Sequence, residues 1–315
     1  MKRRPSFLWP PALMATASTA LLVTVLAGGP TAGAAGDTAP AVEVVGGRCV
    51  NDHTGVLYLA LTDLETAAGK LTRRIQSNNQ QVARSADQAL WWSGKQLRLT
   101  VVATPTAKGR ADLTLTVGDG LNETERTFSV QAGVPQAVGT DHNDVLFGAG
   151  SNSVLYGLGD RDLLCGGSGE DLLDGGTGAD LLDGRDGADR LVGGAGRDNL
   201  RGGAGDDMID GGMGADTIDA GPGDDDARGD SGDDVLYGGP GFDRLSGGTG
   251  HDQLFGQQGS DTLLGDDGDD QLDGGGEDDE ITGGLGADVF TVVAGGRVTD
   301  YQPTQHDTAV TSPRS

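Results

Sequence analysis

The chain is poor in the side chains on which most metal and catalytic centres rely. Its 315 residues include four His and two Cys, and no His-Glu-x-x-His or Gly-x-Ser-x-Gly run occurs in them. Zinc prefers nitrogen and sulfur, so this inventory leaves it few ligands, and two common hydrolase signatures are missing. Lysine is absent from residues 139–291, where 36 acidic residues face 7 Arg for a net charge of −29, while the remainder carries +3. So acidic a segment cannot hold nucleic acid or an anionic membrane surface unless a cation stands between them. Long apolar runs are equally scarce. Ala12–Ala27 is one, preceded by Lys2, Arg3 and Arg4 and followed by the small-residue triplet Ala32-Gly33-Ala34. That order of features reads as an export signal over residues 1–35. No later stretch is long enough to cross a bilayer, so the expected mature chain is secreted and has no transmembrane segment. The two cysteines, Cys49 and Cys165, lie in different segments. Oxidising surroundings would allow them to pair, and nothing in the sequence brings them together.

What is abundant is glycine, with 57 residues, and its placement is periodic. From Gly139 to Thr291 a nine-residue unit, Gly-Gly-x-Gly-x-Asp-x-apolar-x, recurs seventeen times without insertion or deletion. Its clearest copies are Gly166–Asp174, Gly175–Asp183, Gly202–Asp210 and Gly211–Asp219. A fixed nonapeptide period marks a solenoid, in which each unit buries its apolar residue only by stacking on its neighbours. The eighth position runs from Leu146 and Leu155 to Phe290 and is large and apolar in all copies but one, where Ala227 stands. It is the expected core. The six leading residues read as a turn, because glycine permits left-handed backbone and turns carbonyls inward, and the last three read as a short strand. Random acidity would not recur at every sixth position of nine, so the acidic character is structural rather than that of a solvated tail.

These repeats resemble the repeats-in-toxin (RTX) haemolysin-type nonapeptides, which wind into a calcium-bound parallel β-roll. The resemblance implies half a turn per unit and eighteen residues per coil. One edge of the roll would then carry Asp144, Asp162, Asp180, Asp198, Asp216, Asp234, Asp252, Asp270 and Asp288. The other would carry Asp171, Asp189, Asp207, Asp225, Asp243, Asp261 and Asp279, with Ser153 breaking the start of that row. Carboxylates stacked at one strand spacing repel, and Ca2+ between them reverses the sign. It accepts six to eight oxygens in loose geometry, where Mg2+ demands a tight octahedron. Up to fourteen gaps between stacked Asp are available. Copies that depart from the pattern carry Ser151 and Ser153, Asp160, Ala220 with Pro222 and Ala227, or Glu277. Val298-Thr299-Asp300-Tyr301 and Asp307 resemble the family's closing segment, with Phe290 and Tyr301 placed to cover the last coil.

Residues 42–132 show a different period. Leu57, Leu59 and Leu61, then Leu97, Leu99 and Val101, then Leu113, Leu115 and Val117 alternate with other residues, so each run reads as a strand with one buried face. Gly118-Asp119-Gly120 reads as a hairpin turn returning into Thr124–Val130. About six strands in this length indicate a small antiparallel sandwich. The stretches 63–71, 76–82 and 97–130 are similar to immunoglobulin- or cadherin-like modules of bacterial surface proteins, which implies a spacer or adhesive role. Asp63, Glu65 and Asp119 are candidates for an extra ion there, although ordinary turn chemistry explains them as well. Asn122-Glu123-Thr124 has the form of a glycosylation acceptor.

The expected organisation is all-β: an export signal (1–35), a linker (36–41), a sandwich (42–132), a roll (139–291) and a closing tail (292–315). The expected function is that of a secreted, non-catalytic calcium-binding protein with a structural or adhesive role, its partner a cell-surface or matrix component. The alternative is a calcium-triggered folding or secretion device for a lost or separate effector enzyme. An N-terminal export signal weighs against it, because that family's secretion signal is C-terminal. Ice binding would require a regular row of Thr or Asn at the seventh or ninth position, and none exists. The four His are scattered, and His142 and His251 read as surface residues of the repeats.

Overall fold

A computed structural model describes residues 41–51, 54–62, 72–84, 88–93, 96–104, 108–118, 122–293, 296–301 and 306–312. The export signal, most of the linker, the 63–71 segment with Asp63 and Glu65, and the turn residue Asp119 lie outside them. The described residues form strands and turns, with no helix among them. None offers a helix long and apolar enough to cross a membrane.

Alternating sequence gives antiparallel strands in the first part. Seven are present: β1 (Ala41–Asn51), β2 (Thr54–Thr62), β3 (Thr72–Ser77), β4 (Ala89–Ser93), β5 (Gln96–Val102), β6 (Gly109–Gly118) and β7 (Glu123–Ala132). Leu57, Leu59, Leu97, Leu99, Val101, Leu113, Leu115 and Val117 are all buried, as their spacing predicts. One sheet has the order β1-β2-β5-β4. Opposite it, β6 pairs with β3 and with β7 in antiparallel register.

The nonapeptides form the solenoid. After β8 (Gln136–Thr140) and β9 (Asp144–Phe147), successive copies alternate between two parallel sheets, as in β10 (Val154–Gly159), β11 (Leu163–Ser168), β12 (Leu172–Gly178) and β13 (Leu181–Asp186). Leu155 pairs with Leu173 and Leu164 with Leu182, so one coil takes eighteen residues and each copy half of one. The eighth-position side chains, from Leu146 to Phe290, are at most 2% exposed and make one continuous core. The strands are longer than the sequence pattern indicates. They run on into the next copy's glycines, as Leu172–Gly178 does. Register skips the first glycine, with Asp174 paired to Val192 and then Gly176 to Gly194. Glycine-rich chain therefore continues the ladder after a kink, because coils stacked on identical coils satisfy its amides.

Both units share one sheet. β7 pairs in parallel with β9, so thirteen strands run unbroken from β3 to the final strand Thr308–Ser312. The four-stranded sheet lies over the start of this wall. Val145, Phe147, Leu163 and Cys165 point away from the roll and belong to the sandwich core. Cys49 and Cys165 form a disulfide with Cα atoms 5.9 Å apart, settling the pairing that the sequence leaves open. Arg161 also reaches across, its Nη1 donating to the Val44 carbonyl while Nε donates to that of Ala179.

Candidate metal centre

The sixth position of every copy sits where the chain leaves its turn and enters a strand. All sixteen predicted Asp are at most 3% exposed, and Ser153, which interrupts their series, is 1% exposed. Burial of a carboxylate requires compensation. Half of it is visible. Each Asp after Asp144 presents Oδ1 to the backbone N–H of the residue at its position one coil earlier, which for Asp171 is Ser153. Asp162 accepts from Asp144 at 2.8 Å, Asp180 from Asp162 at 2.8 Å, and Asp198 from Asp180 at 2.7 Å. On the other edge Asp189 accepts from Asp171, and Asp207 from Asp189, both at 2.7 Å. The structure thus assembles two columns, one along each edge, with the eighteen-residue step that the resemblance implies.

The other half is missing. Oδ2 of every ladder Asp from Asp162 to Asp288 is buried without a hydrogen-bond partner; in Asp144 it is Oδ1 that is left so. A buried acceptor without a donor is costly, and a run of sixteen is the signature of a cation site rather than of isolated strain. The surroundings supply further oxygens. A Cβ built on Gly175 would stand 2.6 Å from Asp180 Oδ2 and 2.7 Å from the carbonyl oxygen of Gly193, one coil further on. Carboxylate and carbonyl oxygens of successive coils thus converge beside a glycine that has only a hydrogen to offer. No three His, Cys, Asp or Glu side chains converge on a single point among the described residues. An ion between coils would therefore take two carboxylates at most and complete its shell from the backbone. That set of oxygens, hard, mixed and loosely arranged, fits calcium and not zinc or magnesium.

The electrostatics agree. Burial, followed by the neighbouring Asp, pushes Asp162 up to about 9. Burial raises Asp198, Asp207 and Asp225 to about 7, and Asp180, Asp216 and Asp234 to about 6. Without a cation Asp162 keeps its proton at neutrality, those near 7 ionise there in part, and those near 6 are mostly charged, each against the cost of burial. A divalent ion supplies the positive charge that makes the ionised form favourable.

Three features escape the nonapeptide pattern. Asp307 is buried and its Oδ1 accepts the Asp288 N–H at 3.2 Å, continuing the first column one step. It lies nineteen residues on, not eighteen, so strict register passes over it. Asp300 accepts the N–H groups of Gly283 and Gly284, one per oxygen, while Tyr301 meets Phe290 edge-on with centroids 6.4 Å apart, closing the last coil. An outer ladder runs the opposite way along the turns. Asp206 accepts from the N–H of Asp224, Asp224 from Phe242, and Asp233 from His251. His251 is exposed and uses Nδ1 to accept the Asp269 N–H, and His142 is exposed as well.

A parallel β-solenoid edged by two files of inward-held carboxylates defines a metal-binding repeat protein. Residues 138–173, 166–200, 192–227, 228–263 and 255–290 match the model of the RTX calcium-binding nonapeptide repeat. The repeat segment belongs to that family, and calcium is the ion its repeats bind. No curated protein matches the chain.

Proposed function

We propose that this chain is an exported, non-catalytic calcium-binding protein whose roll is a rod stiffened by ions held between coils. The ligands are Asp144, Asp162, Asp171, Asp180, Asp189, Asp198, Asp207, Asp216, Asp225, Asp234, Asp243, Asp252, Asp261, Asp270, Asp279 and Asp288, helped by turn carbonyls. The observation that carries this reading is the file of sixteen buried carboxylates, each with one oxygen lacking a partner. Bound calcium would neutralise the carboxylates and link consecutive coils. The chain's own part is to hold one oxygen of each carboxylate on a backbone amide, Oδ1 from Asp162 to Asp288 and Oδ2 in Asp144, which leaves the other for the gap. RTX repeats are typical of secreted proteins, and extracellular fluid supplies the calcium. The disulfide is consistent with an oxidising compartment. The sandwich, 42–132 in this division of the chain, serves as a spacer or adhesive tip toward a surface or matrix component.

Circular dichroism of the full chain tests the calcium dependence. Chelation is expected to remove most of the β-signal and added calcium to restore it. A signal unchanged after complete metal removal would refute the reading. Binding of labelled protein to whole cells, with and without calcium, tests the adhesive part; recovery only in free medium favours a soluble role.

A further inference from the structure

The two ends of the roll are built differently, and the difference gives winding a starting point. Beyond the first coils, a copy buries one apolar side chain per nine residues and leaves one carboxylate oxygen without a partner. Strands β9 and β11 are exceptional. Their inner faces supply Leu146 and Leu164 to the roll, and their outer faces supply Val145, Phe147, Leu163 and Cys165 to the sandwich. Both faces are dry, and β9 is hydrogen-bonded to β7. The Cys49–Cys165 disulfide fastens β11 to β1.

The polar positions of the first coil follow suit. Ser153 stands where an Asp would, and its hydroxyl accepts the Ala149 N–H at 3.0 Å and donates to the Ser151 carbonyl at 2.6 Å. Asp144 Oδ2 accepts the Thr140 N–H at 2.6 Å and the Thr140 hydroxyl at 2.9 Å. This coil therefore leaves one orphaned ladder oxygen, on Asp144, where the coils after it leave two each.

Resting on the calcium reading above, we infer that β1–β7 together with β9 and β11 form a calcium-independent nucleus. Calcium then winds the roll from this nucleus toward the C terminus. Each new coil docks on a finished one, so its ion sites are complete only once the preceding coil is in place. The apolar outer faces that a bare roll would present at its N-terminal end are the surfaces on which the sandwich closes. The nucleus is the element that lets calcium act on an existing template rather than on a disordered chain.

Hydrogen exchange with mass spectrometry on the oxidised full chain, with and without a calcium chelator, tests this. Protection in 97–102, 111–118, 122–132, 145–147 and 163–165 should stay within about threefold on chelation, while protection in 172–293 falls by at least about a hundredfold. Loss of protection in both regions together would overturn the nucleus and leave calcium binding intact. Protection retained everywhere would overturn the calcium reading itself. Direction is tested at saturating calcium by Leu164→Asn and Leu272→Asn. Winding from the N-terminal side predicts that L164N strips protection from every later coil and that L272N strips it only from about residue 270 onward. The reverse pattern, or equal loss in both variants, would contradict the inference.

Discussion

The sandwich buries hydrocarbon, and the roll buries charge. Among the described residues, 42–132 supply seventeen buried apolar side chains to a core shared with four from the first coils. Over residues 166–291, a copy contributes one apolar side chain to the core and one carboxylate to a column. Both regions are β-sheet, and both are satisfied along the backbone, yet their sources of stability are opposed. Hydrophobic burial belongs to the chain itself and needs no ligand. Buried carboxylates with an orphaned oxygen draw their stability from whatever cation occupies the gap, by an amount set by its free concentration. The comparison teaches that a regular sheet need not be an autonomous one.

The largest way to break this contrast is to remove the charge from one column locally. Replacing Asp180, Asp198 and Asp216 together by Asn should abolish the calcium-dependent protection of the roll from about residue 172 onward while sandwich protection stays. Hydrogen exchange read peptide by peptide, with the loss of far-UV β-signal on the same sample, would show it. A smaller effect comes from pH. The ladder Asp are raised above the ordinary value of 3.8 in the fold, Asp162 to about 9 and most of the others to about 6 or 7. Folded chain then binds more protons than unfolded chain between these values, so the stabilising contribution is fully present below about 4 and lost as pH rises through 6 to 9. Without calcium, the roll should therefore hold its β-signal at pH 4 and lose it by pH 8. With calcium the order reverses, because protons and the ion compete for the same oxygens. The sandwich should respond to neither change. A calcium-free β-signal that does not depend on pH would show that the carboxylates are not the element under strain.

The smallest predicted effects lie in the turns. From the third copy on, the second position of the repeat has positive φ, and five copies place Leu158, Arg185, Asp230, Gln257 or Asp266 there. Such a residue costs about 1 kcal/mol against glycine, so Gln257→Gly should raise calcium-loaded stability by about that much. The converse, Gly176→Ala, should lower it by more, since a Cβ there would collide with the Leu158 carbonyl one coil before. Thermal melts at saturating calcium would rank the two variants against the parent. No such asymmetry is expected at the sandwich glycine Gly46, where φ is not positive and an added Cβ meets nothing closer than 3.4 Å.

Much of the roll was legible because repetition turns one local rule into seventeen observations. Leu155 and Leu173 stand eighteen residues apart in sequence and side by side in the wall. The Asp columns follow from the same step. What was not legible depends on single occurrences. The outward Val145, Phe147, Leu163 and Cys165 fall at positions that later carry Thr217, Arg201 or Asp219, and nothing local says that another sheet covers them. Whether Cys49 met Cys165 depended on that same covering. The continuity of β7 into β9 is a pairing across a boundary where two different periods meet, and neither period predicts it. Asp307 closes a column from outside the register. The sequence hides the strands' extension into glycine, because glycine in isolation breaks a strand, whereas in a stack each coil holds the next.

The most direct test counts ions. Equilibrium dialysis of the full chain at extracellular calcium concentrations should find about ten to fourteen bound per molecule, one for each gap between stacked carboxylates that the altered copies leave whole. Fewer than a handful would mean that the orphaned oxygens of the two columns are satisfied in some other way, and that calcium does not hold the coils together.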